Sequence, residues 1–203
     1  MLEEGDRGQP SPGAVAELRA ATAECHRRLE RRLDIKARFS TRDHYRSHLE
    51  GMLGFQDPFE QQLSRQGFGK VIPDFQQRCK SALLVADLQA LGGSPEAIAS
   101  LPRCLRLPSF RCEAAALGGF YVLEGATLGG RVLLPLVQRQ LGVTAGSGGS
   151  YLGSYGEQVS SMWRRFSDAV EAWCTDSSRR RVAAAAAVGT FNALEQWLCE
   201  LTE

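Results

Sequence analysis

Histidine is scarce in this chain: His26, His44 and His48 are the three it has among 203 residues. Any chemistry that needs an imidazole must come from one of them. Charge of one sign is lacking too, since 24 Lys and Arg against 23 Asp and Glu leave a net +1. A nucleic-acid binder normally carries a basic field, so no nucleic-acid partner is expected. No uninterrupted apolar run approaches the ~18 residues that span a bilayer, which predicts no membrane partner. Met1 to Asp6 are acidic and lack the charged-then-apolar pattern of a signal peptide. The six cysteines, at 25, 79, 104, 112, 174 and 199, include no Cys-x-x-Cys pair. Zinc and redox motifs are therefore unsupported, and buried free thiols in a reducing, cytoplasmic setting are expected. Walker loops, dinucleotide fingerprints, Gly-x-Ser-x-Gly and zincin motifs are absent. Sustained period-two alternation is missing, and with it any signal for strands.

Helical periodicity is what remains, in a chain whose 43% hydrophobic content suffices for one core. The fold class is all-α, a single multi-helix domain over 14–203 behind a disordered, Gly- and Pro-rich tail over 1–13. Val15, Leu18, Thr22, Cys25, Leu29 and Leu33 recur at three- and four-residue steps and predict a first helix from Ala14 to about Leu33. Ser40 or Thr41 caps a second, Arg42 to about Arg65, which Pro58 should kink or divide. A third covers Asp74 to Leu91. Ser94 caps a short one that has Pro95 in its first turn. Leu101 to Pro108 should be irregular. Ser109 is the expected cap of a long helix that runs to about Leu141, bent near Pro135. Gly142 to Ser150 reads as a flexible loop, followed by helices over Tyr155–Cys174 and Ser177–Leu201.

The long helix is the puzzle, because Gly125, Gly129 and Gly130 fall within six residues of it and each interior Gly costs about 1 kcal/mol relative to Ala. Gly118, Gly125 and Gly129 are spaced by seven and four and share one face. Such a face serves either close helix packing or a flat, rigid ligand laid against backbone, and spacing does not decide between them. His44 and His48 stand one turn apart among charged residues and read as a solvated face. His26 lies near the apolar side of the first helix, as a boundary histidine or as a ligand to a metal. Arg19 stands two turns before it, about 10 Å along the axis, and Glu30 one turn after. Trp163 with Arg164 and Arg165 pairs an aromatic with planar cations that can bind an anion. Arg179 to Arg181 read as a solvated basic run.

Leu18-Arg19-Ala20-Ala21-Thr22-Ala23-Glu24-Cys25-His26 resembles the proximal-helix motif of heme oxygenases, in which Leu-Arg/Lys-x-x-Thr leads to the histidine that ligates heme iron. Tyr121-Val122-Leu123-Glu124-Gly125 through Gly129-Gly130-Arg131 is similar to that family's distal helix, where glycines bring backbone close to the reacting face. The wording is nearest to the bacterial branch associated with bacteriophytochromes. Tyr155-Gly156 through Trp163-Arg164-Arg165-Phe166, and Phe191 through Leu194-Glu195-x-Trp197-Leu198, resemble it too. The resemblance spans about 14–201.

It implies an enzyme that cleaves heme, both cofactor and substrate, to biliverdin, iron and CO, using O2 and electrons from an external reductant. The implied electron donor is a ferredoxin-, flavodoxin- or reductase-type protein, and a bilin-accepting phytochrome is a further implied partner. Carried over, His26 is the axial iron ligand and Glu30 its acidic neighbour. Gly125 and Gly129 are the distal glycines, Arg19 and Arg164 stand near propionates, and Phe191 packs on the heme. Three positions depart from the pattern. Ala126 replaces a frequent aspartate, Phe120 a frequent tyrosine and Ala23 a frequent lysine. Ala126 keeps open a reading in which the chain binds, sequesters or senses heme without degrading it.

Overall fold

The computed structural model describes residues 13–200. The tail expected over 1–13 lies outside them, apart from Gly13. Among the described residues there are ten α-helices and no strand. In order they are α1 Ala14–Leu33, α2 Ile35–Arg38, α3 Arg42–Arg65, α4 Phe75–Arg78, α5 Ser81–Ala90, α6 Pro95–Ala99, α7 Glu113–Leu141, α8 Ser150–Gly153, α9 Val159–Trp173 and α10 Ser177–Glu200.

α7 and α10 make the most extensive packing in the molecule, and α1 packs chiefly on α10. Small residues allow the first of these contacts. A Cβ built on Gly118 of α7 would stand 1.9 Å from the Ala183 carbonyl oxygen of α10, so the two backbones touch there. Gly119 is shaved in the same way, its Cβ position 2.4 Å from the Phe110 ring. α3 lies across α5 and α10, while α8 and α9 cover the rest of α7. By length and composition alone α7 is apolar enough to cross a membrane, although no uninterrupted apolar run in it is that long. Its glycines and polar residues break the runs without lowering the average, and here it is the core helix.

Several helix starts are capped from afar. Thr41 and Ser94 cap α3 and α6 locally, as their sequences predict. α1 has no local side-chain cap, and Glu171 of α9 accepts from the Ala14 and Val15 N–H groups at 2.8 and 3.0 Å. Asp87 does the same for α8, accepting from Ser150 and Tyr151 at 2.8 and 2.7 Å. Orphan N–H groups at a helix start need such acceptors.

The differences from expectation have local causes. Pro58 does not divide α3. The carbonyl it deprives is that of Gly54, and this accepts instead from the Cys104 N–H at 2.8 Å. α7 starts at Glu113 behind Cys112, not at Ser109, because the chain stays extended to plug Phe110 against Phe59, 5.3 Å between centroids. The helix expected over 74–91 breaks at Cys79 and Lys80. α9 begins only at Val159, after Ser154 and Gly156 adopt positive φ. The 142–150 segment is a hydrogen-bonded turn rather than a free loop, with Tyr45 donating to the Gly148 carbonyl at 2.9 Å.

His48 corrects the solvated reading of the His44 and His48 pair. His44 is exposed, but His48 is buried edge-on to Phe39, 5.2 Å between centroids, and its Nδ1 has no partner. Burial, helped by the nearby Arg38 charge, pushes its pKa down to about 3. None of the six cysteines is in a disulfide, and Cys112 alone is exposed. Within the basic run, Arg180 is not simply solvated but pairs with Glu17 of α1 at 3.1 Å.

Candidate functional site

α1 and α7 both rest on α10 but make little contact with each other, and the gap between them is a cavity of about 630 Å³. Leu18, Thr22, Cys25 and Leu33 fill the buried stripe of α1. That places Arg19, Ala23 and His26, one step round the helix, along the cavity wall. α7 supplies the opposite wall with Val122, Gly125, Ala126, Leu128 and Gly129, while Trp163, Phe191 and Leu194 close the space from α9 and α10. The volume lies in the range of small-molecule and cofactor sites.

The glycines divide into two groups. Gly118 and Gly130 pack backbone on backbone, with Cβ positions only 1.9 and 2.2 Å from the carbonyl oxygens of Ala183 and Leu152. At Gly125 an added Cβ meets only the Trp163 ring, at 3.9 Å, and at Gly129 nothing within 4 Å. No helix needs that room, and it opens on the cavity. The shared-face reading of Gly118, Gly125 and Gly129 is thus split: the first serves helix packing, the other two bare α7 toward the cavity.

His26 lies across from them. Its side chain is 59% exposed, so it is not a core histidine. Its Nδ1 is 3.4 Å from Glu30 Oε2, and its ring meets Phe191 edge-on at 6.0 Å. A carboxylate beside Nδ1 favours the N–H on that nitrogen and leaves the Nε2 lone pair for a ligand. Glu30 does not line the cavity itself.

Phe120, the position where a tyrosine was sought, is a core residue packed between Phe68, Phe75 and Phe166 at centroid distances of 5.5 to 5.8 Å. Tyr121 is the tyrosine at the cavity. Burial raises its pKa, against the opposing hydrogen bonds and charge of Thr22 and Arg19. Sequence reasoning passed over Tyr121, although it stands one residue away and four before Gly125, on the same helix face. Arg19 is exposed at the rim. Arg164 is exposed on α9 beside Trp163 but is not among the lining residues; Trp163 turns inward instead.

Behind the distal wall lies a cluster of charge that sequence reasoning also missed. Glu124 is fully buried and accepts from Arg78 Nη1 at 2.5 Å, Lys80 Nζ at 3.0 Å and the Tyr155 hydroxyl at 2.6 Å. Arg78 reaches Asp74 with two bonds, 2.7 and 3.0 Å, and the Met162 carbonyl. Burial works against the Arg78 charge, yet Asp74 and Glu124 outweigh it and hold its pKa above the ordinary value. For Lys80 burial wins over Glu124 and lowers it, and burial with the Glu124 charge raises the Tyr155 phenol.

Comparison with known proteins bears on the family and the fold. The sequence profile of the family described as Heme oxygenase matches residues 13–200. No curated protein matches. Among solved structures, the chain is similar to the NO- and CO-bound heme oxygenase of Neisseria meningitidis, with a TM-score of 0.80 and 19% identity over 94% of this chain and 92% of that one. It is similar also to the heme oxygenase of Leptospira interrogans, with a TM-score of 0.75 and 19% identity over 93% of this chain and 100% of the other. With this fold and a profile match over nearly its whole length, the chain belongs to the heme oxygenase family.

Proposed function

We propose that the chain binds heme between α1 and α7, with His26 as the axial ligand, and cleaves it to biliverdin, iron and CO. The observation that carries this is the pairing of His26 with the bare backbone of Gly125 and Gly129 across one cavity. The residues fit such a guest. A flat macrocycle needs two facing walls without side chains between them, an apolar lining, one imidazole and cations at an edge. Val122, Leu128, Trp163 and Leu194 give the lining and Arg19 the edge. When bound, heme supplies both the iron that activates O2 and the macrocycle that is cut.

The protein's own part is positioning. His26, oriented by Glu30 and by the Phe191 edge, would hold the iron from α1. Gly125 and Gly129 let polar backbone approach the reacting face more closely than any side chain allows. Arg19, with Tyr121 and Thr22 behind it, would hold a propionate and so orient the macrocycle in the cavity. Arg164 is the candidate for a second propionate, although it is not among the residues that line the cavity. Electrons come from a ferredoxin-, flavodoxin- or reductase-type donor in the cytoplasm, and the bilin suits chromophore supply to a phytochrome.

Ala126 favours a second reading, a heme-binding or sensing protein that leaves heme intact, because it brings no carboxylate to order water in the cavity. One assay separates the two. The heme-loaded chain, given a reductase system and O2, is expected to lose its Soret band as a bilin absorption grows. A Soret band that persists, with no bilin, overturns the degradative reading.

A further inference from the structure

The buried charge behind α7 is left over once the cavity is explained. Glu124, Arg78 and Lys80 have side chains 1%, 1% and 4% exposed. Buried ion clusters are seldom the most stable way to fill space, and apolar residues of like size often do better. Two departures from regular backbone also serve this cluster. The break between α4 and α5 turns Lys80 inward, where its Nζ bonds Glu124, the Arg78 carbonyl and Tyr155. Ser154, at φ 44 and ψ −114, opens the turn that aims the Tyr155 hydroxyl at Glu124. Both cost free energy and persist only where the surroundings enforce them.

The location supplies a reason. Glu124 directly precedes Gly125, where α7 offers bare backbone to the cavity. Neither Gly125 nor Gly129 has a side chain to wedge the helix against a neighbour on that face. The distance of this stretch from the cavity is therefore set from behind. Glu124 ties it to the α4–α5 junction through Arg78 and Lys80, and Arg78 continues to the Met162 carbonyl of α9. We propose that Glu124 is a positioning residue that, through Arg78, Lys80 and Tyr155, fixes how closely the Gly125–Gly129 backbone stands over a ligand in the cavity.

Amide hydrogen exchange on the apo chain tests this without any ligand. Glu124→Gln, which keeps the shape but not the charge, is expected to speed exchange at 125–130 about tenfold beyond the change in α3 and α10. Tyr155→Phe, which removes one donor, is expected to do so less. Glu195→Gln is the control, a buried carboxylate whose bonds run to Arg28 and Arg32 of α1; it is expected to leave 125–130 unchanged. Exchange that rises equally in every helix, or not at all at 125–130, overturns the proposal, and Tyr155→Phe decides if Glu124→Gln does not fold. A second arm rests on the heme reading: the C–O stretch of the ferrous CO complex is expected to shift in Glu124→Gln. An unchanged stretch in a variant that still shows a Soret band contradicts the positioning role. Absence of a Soret band in the wild type contradicts the heme reading alone.

Discussion

Gly118→Ala and Gly129→Ala are expected to move stability in opposite directions, although the two glycines lie on one helix. At Gly129 the new methyl meets nothing within 4 Å, so the apo chain should gain up to about 1 kcal/mol of helix propensity. At Gly118 the methyl would collide with backbone at 1.9 Å, and prying α7 from α10 should cost about 3 kcal/mol. Urea titrations of the two apo variants measure both. A larger group at the open position, Gly129→Leu, should weaken hemin binding at least about tenfold, or 1.4 kcal/mol, with the fold intact. His48 gives a second residue-level expectation. Its folded pKa, about 3, lies below the ordinary 6.5, so the unfolded chain takes up the proton first. The stability it contributes is complete above pH 6.5 and is lost as pH falls toward 3, at about 1.4 kcal/mol per unit. His48→Leu should flatten that slope between pH 6.5 and 5 in urea titrations. Only the resemblance singled out His26, Gly125 and Gly129 together, because spacing alone left a boundary histidine and plain helix packing open; the structure puts all three on one cavity. Tyr121 was not legible, because one residue of rotation separates a core position from a cavity position and the sequence does not say which way α7 faces.

At the scale of elements, the long helices were readable from periodicity and caps, and they stand close to where the pattern puts them. The failures cluster where tertiary partners override local preference. The helix breaks at Cys79 and Lys80, where Glu60 accepts from the Lys80 N–H at 2.6 Å, a partner 20 residues away that no local pattern reveals. Phe110 delays α7 for the same kind of reason. Distant capping is testable at α1, which carries His26. Glu171→Ala removes the acceptor of two N–H groups and should lower stability by about 1 kcal/mol. Fraying of α1 in circular dichroism or hydrogen exchange would show where the loss falls. Local weakening at residues 14–18, with α7 unaffected, is the expected pattern.

For the whole molecule, the decisive arrangement is that α1 and α7 share a floor, α10, with little direct contact between them. Close packing at Gly118 brings α7 down at one end, and the cavity opens further along, where Gly125 and Gly129 face His26. That slot was foreseeable only through the resemblance, since spacing alone left helix packing and ligand contact equally open for the glycines. Hemin titration of the apo chain tests the account at its centre. The expected result is a Soret band that saturates at one hemin per chain, an altered axial ligation in His26→Ala, and recovery of the original spectrum when that variant is given imidazole. A wild-type chain that shows no saturable Soret band, or a His26→Ala spectrum identical to the wild type, contradicts it.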